Sequence, residues 1–330
     1  LSIYRLAAFT ASLKRGIPMG YTGIFSCSTS WNADRHVNGR EMINEIKSLG
    51  FEKVELNYEV REEMLQDILD MQQKGEIEIT SIHNVFPRIY DSSFGTDSLL
   101  LGYEDREMRE KSIQLTINTV EHAVRFNAKA VVIHPGEVPV PKDYNRMLEE
   151  LIVQGKKDTK EYRVLFNEML EYREANAPRY VKLIGDSLYE ICGYIERKGY
   201  EVALGIENRT MCHQIPVFHE VHTLLERLEG LPVYFWYDIG HGILQEQIGM
   251  FDNIQGAKSL KEKIIGVHIH DVDVVKDHLC PFILNDSFSC YMEIVKDVPI
   301  KVLELSSKKC RKEDVIISLK RLTEALSEVQ

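Results

Sequence analysis

The sequence predicts an α/β fold, a (β/α)8 TIM barrel with a helical insertion after strand four. Three observations predict it. From residue 20 onward, short β-branched apolar runs alternate with longer stretches of helical period. Eight such runs occur, the number a closed parallel barrel needs. None is followed by G-x-G-x-x-G, so a doubly wound nucleotide-binding sheet has no support.

The first strand is expected at 23–27, and a helix at 41–49 stops at Gly50. The second strand, 53–57, precedes a helical stretch at 61–74 that ends at Gly75. Strand three, 78–83, leads to a helix at 106–126 whose stripe of Ile113, Ile117, Val120 and Val124 marks one apolar face. Strand four is expected at 130–134. The segment 137–176 after it is too long for a plain βα connection and is read as a helical insertion over the barrel mouth. It holds a helix at 162–174, and a second helix is expected at 180–198. Strands five to eight are expected at 202–207, 233–238, 264–270 and 301–305, with helices at 217–228, 288–295 and 312–327. Residues 1–18 read as an N-terminal extension, leaving 19–330 as a single barrel domain.

Composition narrows the function. Hydrophobic residues make 44% and charged residues 28% of the 330, ordinary for a globular protein and unlike a disordered or collagenous chain. No apolar run reaches the ~18 residues of a membrane span, so no membrane partner is expected. The net charge of −11 opposes binding to a phosphate backbone, so nucleic acid is an unfavoured partner. The six cysteines form no C-x-x-C pair, which fits a reducing cytoplasm rather than a zinc knuckle or a redox motif. The sequence carries no signature of assembly, and a homo-oligomer stays open.

Chemistry gathers at the strand ends. In a barrel these open on one common mouth. Here strand three ends in His83, strand four in His134, strand five in Glu207, strand six in Asp238, strand seven in His268 and His270, and strand eight in Glu304. Each alone has an ordinary reading: a hydrogen-bonded histidine, an ion pair with Arg209, a helix cap at Asp238. Together they are costly to bury unless paired or metal-bound, and convergent carboxylates and imidazoles are what a divalent cation takes. The basic run Lys308, Lys309, Arg311 and Lys312 reads as a solvated loop more readily than as a phosphate site.

Several segments carry a family resemblance: His83-Asn84-Val85-Phe86-Pro87, Glu207-Asn208-Arg209, Asp238-Ile239-Gly240-His241, His268-Ile269-His270-Asp271 and Asp277-His278-Leu279-Cys280-Pro281. In this order the chain resembles the xylose isomerase-like barrel superfamily, close to its sugar phosphate isomerase/epimerase group. That superfamily also includes the metal-dependent apurinic endonucleases. The resemblance implies one divalent metal ion (Mn²⁺, Zn²⁺, Mg²⁺ or Co²⁺) held by Glu207, Asp238, His268 and Glu304. It implies Glu207 and Glu304 as catalytic acid and base, and His83, His134, Arg209, His241 and His270 as substrate-binding residues. By likeness to the endonucleases, His83, His134, His241, Asp277 and His278 are additional candidate metal ligands. The chain departs from the family in one loop: Pro-Gly-x-Gly is usual after strand seven, whereas Pro281 is followed here by Phe282, Ile283 and Leu284.

The expected activity is therefore isomerisation or epimerisation of a small-molecule sugar or sugar phosphate, by proton transfer next to a carbonyl through an enediolate. The alternatives are an apurinic endonuclease-like zinc phosphodiesterase and a non-catalytic sugar- or metal-binding barrel.

Overall fold

The computed structural model describes residues 23–329; the expected extension at 1–18 lies outside them. Eight parallel strands close a barrel: β1 (Ser26–Ser28), β2 (Lys53–Leu56), β3 (Glu78–His83), β4 (Ala130–Ile133), β5 (Ala203–Glu207), β6 (Val233–Asp238), β7 (Ile264–Ile269) and β8 (Ile300–Leu303). Each pairs with its chain neighbours, and β1 pairs with β8. Every expected strand is present, shifted by up to three residues at its ends.

Alternation along each strand decides what the barrel holds. One parity turns outward to the helices: Val131, Ile133, Leu204, Ile206, Phe235, Tyr237, Val267 and Ile269 all belong to the main apolar core. The other parity turns inward. Ala130, Val132, Trp236, Ile300 and Val302 make a separate small cluster in the lumen. Trp236 fills this space only because Gly266 faces it; a β-carbon at residue 266 would lie 2.2 Å from the indole.

The outer helices are α1 (Gly39–Ser48), α2 (Leu65–Gln73), α3 (Arg106–Arg125), α4 (Tyr144–Val153), α5 (Lys160–Lys198), α6 (Phe218–Arg227), α7 (Ile239–Ile248), α8 (Asn253–Ser259), α9 (Met292–Val295) and α10 (Lys312–Glu328). Two expectations need correction. The helices expected at 162–174 and 180–198 are one 39-residue helix, α5, which runs through Pro178. A proline inside a helix costs about 3 kcal/mol. Burial on both sides of it offsets this, with Leu165, Met169 and Arg173 before and Tyr180, Val181 and Ile184 after. The second correction lies between β6 and β7, where only a cap at Asp238 marked a helix and no range was assigned: the structure has two, α7 and α8, and Gly240 and Gly242 in the first turn of α7 weaken its sequence signal.

The insertion is α4 with the first half of α5. It packs on the loop after β5 and on the C-terminal end of α7 through a second apolar cluster that includes Tyr144, Leu148, Tyr162, Met169, Cys212 and Ile248. Arg173 pins it, bonding both oxygens of buried Glu220 and the carbonyls of Cys212 and Gln214. A short antiparallel pairing of Gly136–Glu137 with Gln214–Ile215 ties the loops after β4 and β5 together.

Candidate metal centre

The inward parity that carries Trp236 and Val302 at mid-lumen carries ionisable groups two residues later. Asp238 follows Trp236, Glu304 follows Val302, Glu207 follows Gly205, and His268 follows Gly266. One donor atom from each of Glu207, Asp238, His268 and Glu304 lies within 4.8 Å of the others. All four side chains are buried. His268 Nδ1 is 2.9 Å from Glu207 Oε1, 3.3 Å from Glu304 Oε2 and 3.7 Å from Asp238 Oδ2.

Local structure aims each group. Asp238 is the N-cap of α7, and its Oδ1 accepts from the His241 N–H at 2.7 Å, so the capping reading is met while its carboxylate also lies among the other three groups. Asn208 clamps the end of β6, accepting from the Asp238 N–H and donating to its carbonyl, both at 2.8 Å. Gly240 lets His270 approach: a β-carbon there would meet the imidazole at 1.9 Å.

Two further groups surround the quartet. His83, His134 and Glu207 form one. His83 Nδ1 donates to the Asn84 carbonyl at 2.9 Å, which turns Nε2 toward Glu207 Oε2 at 3.3 Å. His134 Nε2 is 2.8 Å from the same oxygen. The other group is His241, His270 and His278. His241 Nδ1 donates to the Asn208 carbonyl and His278 Nδ1 to the Glu304 carbonyl, leaving each Nε2 free to accept.

His270, expected to bind substrate, is fully buried behind Asp238. Its Nε2 donates to the carboxylate at 3.0–3.1 Å, and its Nδ1 accepts from the His278 N–H at 3.0 Å, so neither nitrogen is open to a substrate. Asp277, a candidate ligand with His278, is drawn instead to Lys309 Nζ at 2.6 Å. Arg209 reaches the mouth but is engaged there, bonding Asp97 Oδ1 and lying against His134. The four cations of the loop after β8 are all paired, with Asp34, Asp277, Asp314 and Glu45. The departure at Pro281 leaves the turn in place: Phe282 itself adopts the left-handed conformation, φ 63°, that favours glycine. Its carbonyl accepts from Arg321 at 2.7 Å and its ring packs on Phe288.

Sequence reasoning missed Glu55. It is fully buried on β2, accepts from Ser81 Oγ at 2.8 Å and meets His268 Nε2 at 3.0 Å. Asp97 is a further residue that no motif marks: it is the counter-ion of Arg209 and lies 3.2 Å from His134 Nδ1.

The electrostatics identify what such a site wants. Burial pushes the Glu207 carboxyl up, but the imidazoles of His268 and His134 outweigh it and hold it well below the usual range. Burial likewise opposes ionisation of Asp238, and His241 and His270 reverse it. Burial disfavours the charged form of His268, and Glu304, Glu55 and Glu207 raise it well above the usual value all the same. Burial dominates at His241, which drops to about 4. Glu55, Glu207, Asp238 and Glu304 thus sit together out of water, and among the described residues their only cationic partners are histidines. A divalent cation fits this donor set, three carboxylates and one imidazole around a common point, and answers the charge that protein alone leaves unbalanced.

Comparison with known proteins agrees with the fold. An uncharacterized protein of Methanocaldococcus jannaschii is 24% identical over 260 residues, 78% of this chain and 84% of that protein. The crystal structure of a D-tagatose 3-epimerase-like protein superposes with TM-score 0.63 at 18% identity, over 93% of this chain and 98% of that one. The 3-keto-D-glucoside 4-epimerase of E. coli superposes with TM-score 0.59 at 14% identity, over 92% and 98% of the two chains. No helix among the described residues is long and apolar enough to cross a membrane. The family described as xylose isomerase-like TIM barrel matches residues 43–300, and the chain belongs to that family.

Proposed function

We propose that this protein is a divalent-metal-dependent isomerase or epimerase of a sugar or sugar phosphate, working by proton transfer next to a carbonyl. The observation that carries the reading is the convergence of Glu207, Asp238, His268 and Glu304 within 4.8 Å at the barrel mouth. These four would hold the ion, which supplies Lewis-acid stabilisation of the negative charge that develops on a substrate oxygen.

The two glutamates differ in freedom. Glu207 Oε2 is held by His134 and its Oε1 by His268. The Glu304 carboxylate lies 3.3 Å from His268 Nδ1 and 3.9 Å from His278 Nδ1 through Oε2, and among the described residues its Oε1 has no hydrogen-bond partner. Glu304 is therefore the carboxylate placed to take the proton. In an isomerisation Glu304 would return the same proton to the neighbouring carbon; in an epimerisation Glu207 would pass on a proton received from His134, which bonds its Oε2, while Glu304 releases its own to water. His241, with Nε2 free, would contact a substrate hydroxyl. Arg209 would meet a substrate phosphate only by giving up Asp97, so a free ketose and its phosphate are both needed as test substrates.

The experiment is exchange of the substrate proton into deuterated water, catalysed by the metal-loaded protein across a panel of ketoses and their phosphates. Exchange that depends on added Mn²⁺, Co²⁺, Mg²⁺ or Zn²⁺ supports the reading; no exchange with any of them overturns it.

A second reading, a multinuclear zinc phosphodiesterase, is favoured by the His83–His134–Glu207 group. The engaged nitrogens of His270 and the net charge of −11 speak against it. Three bound zinc ions and cleavage of abasic DNA would favour it over the first.

A further inference from the structure

A histidine ligand is useful only if the correct nitrogen faces the ion. His268 has one nitrogen on each side of its environment. Nδ1 faces Glu207, Glu304 and Asp238. Nε2 faces away, across the barrel axis, to β2, where Glu55 Oε1 and Oε2 lie 3.0 and 3.1 Å from it. Glu55 is 213 residues distant in the chain and meets His268 only because both belong to the inward parity of their strands.

An ionised carboxylate has acceptors only. Glu55 already accepts from Ser81 Oγ at 2.8 Å, and Ser81 is its register partner on β3. Its contact with His268 therefore keeps a proton on Nε2, so that Nδ1, which faces Glu207 at 2.9 Å, is the nitrogen that would exchange its proton for a cation. The imidazole plane is fixed as well. The His83 ring stacks on one side, 5.9 Å between centroids at 10°, and the Trp236 indole meets it edge-on at 5.2 Å. Orientation comes from the rings and nitrogen choice from Glu55.

We infer that Glu55 is a positioning residue of this site: it holds the His268 Nε2–H so that Nδ1 is the atom presented to the cation. This rests on the metal reading above. Carboxylate partners of this kind set the tautomer of a ligating histidine and raise its basicity, and their loss costs roughly 10–100-fold in metal affinity. The Gln variant is the sharpest change, because its amide N–H₂ can donate to Nε2. That would move the ring proton to Nδ1 and remove the ligand atom without changing side-chain size.

The test is calorimetric titration of Mn²⁺ into metal-free wild type, Glu55→Gln and Glu55→Asp, with thermal melts of each metal-free protein alongside. The expected result is a roughly 10–100-fold weaker Kd for Glu55→Gln and an intermediate Kd for Glu55→Asp, which keeps the acceptor charge. Equal Kd for wild type and Glu55→Gln overturns the inference and leaves the metal site standing. Should Glu55→Gln fail to fold, Glu55→Asp decides: a severalfold weaker Kd supports the role and an unchanged one overturns it. Wild type that binds no Mn²⁺, Co²⁺ or Zn²⁺ overturns the metal reading itself, a result distinguishable from failure of Glu55 alone.

Discussion

The two levels of the barrel lumen are built by the same strands and differ by two residues along each. At mid-lumen β4, β6 and β8 contribute Val132, Trp236 and Val302, an apolar plug of side chains. One inward step later the same strands contribute His134, Asp238 and Glu304. The lower level is packed to contact, with Gly266 hollowed out for the indole. The upper level buries carboxylates whose charges, among the described residues, only histidines answer. The difference teaches that rigidity and reactivity are layered. The plug supplies burial energy and a fixed floor, and the mouth spends part of that stability on charges held in place.

If the levels divide the work, substitutions should separate by readout. The largest effect is expected at the mouth. Glu304→Gln should lower the proton-exchange rate by roughly 10²–10⁴-fold, the usual contribution of a positioned acid or base, while the folded barrel persists in far-ultraviolet circular dichroism. A rate within threefold of wild type would remove Glu304 from the chemistry. Next comes the floor. Trp236→Ala empties the mid-lumen and should cost about 3–5 kcal/mol in denaturant unfolding. A loss below 1 kcal/mol would mean that the lower level is not the stabilising one.

A smaller effect separates the levels by pH. His83 and His268 are buried, which disfavours their charged forms, yet Glu207 and its neighbouring carboxylates raise both above the usual value in the metal-free protein. The folded protein then binds more protons than the unfolded chain above pH ~6.5. The stability these pairs confer is whole below that pH and is lost as pH rises through the raised values. Thermal melts of metal-free protein should show Tm falling above pH ~6.5, while Mn²⁺ affinity increases as the competing protons leave. A Tm that rises over that interval would contradict the assignment of charge to these histidines.

Much of this was legible in the sequence because barrel strands, buried on both faces, read as compact apolar runs. The strand-end residues stand out as polar interruptions of those runs. Glu55 did not, for a physical reason. The run Lys53-Val54-Glu55-Leu56-Asn57 alternates like a half-exposed strand, and only closure of the barrel turns its inward parity from solvent to lumen. α7 was marked only by the cap at Asp238, its extent obscured by Gly240 and Gly242, the first of which admits His270 rather than favouring a helix. The gap between the helices expected at 162–174 and 180–198 holds Pro178, and local propensity cannot register the barrel against which both halves of α5 are packed. The engagement of Arg209 by Asp97 joins loops 112 residues apart, which no spacing rule detects.

The proposed chemistry requires that the acidic and imidazole groups at the ends of β5 to β8 share a cation. Metal content per chain, measured by elemental analysis on wild type and Asp238→Asn after loading and exhaustive dialysis, tests this most directly. The expected result is one divalent ion per wild-type chain and a large loss in the variant. Equal metal content in the two proteins, whether none or some, would contradict it.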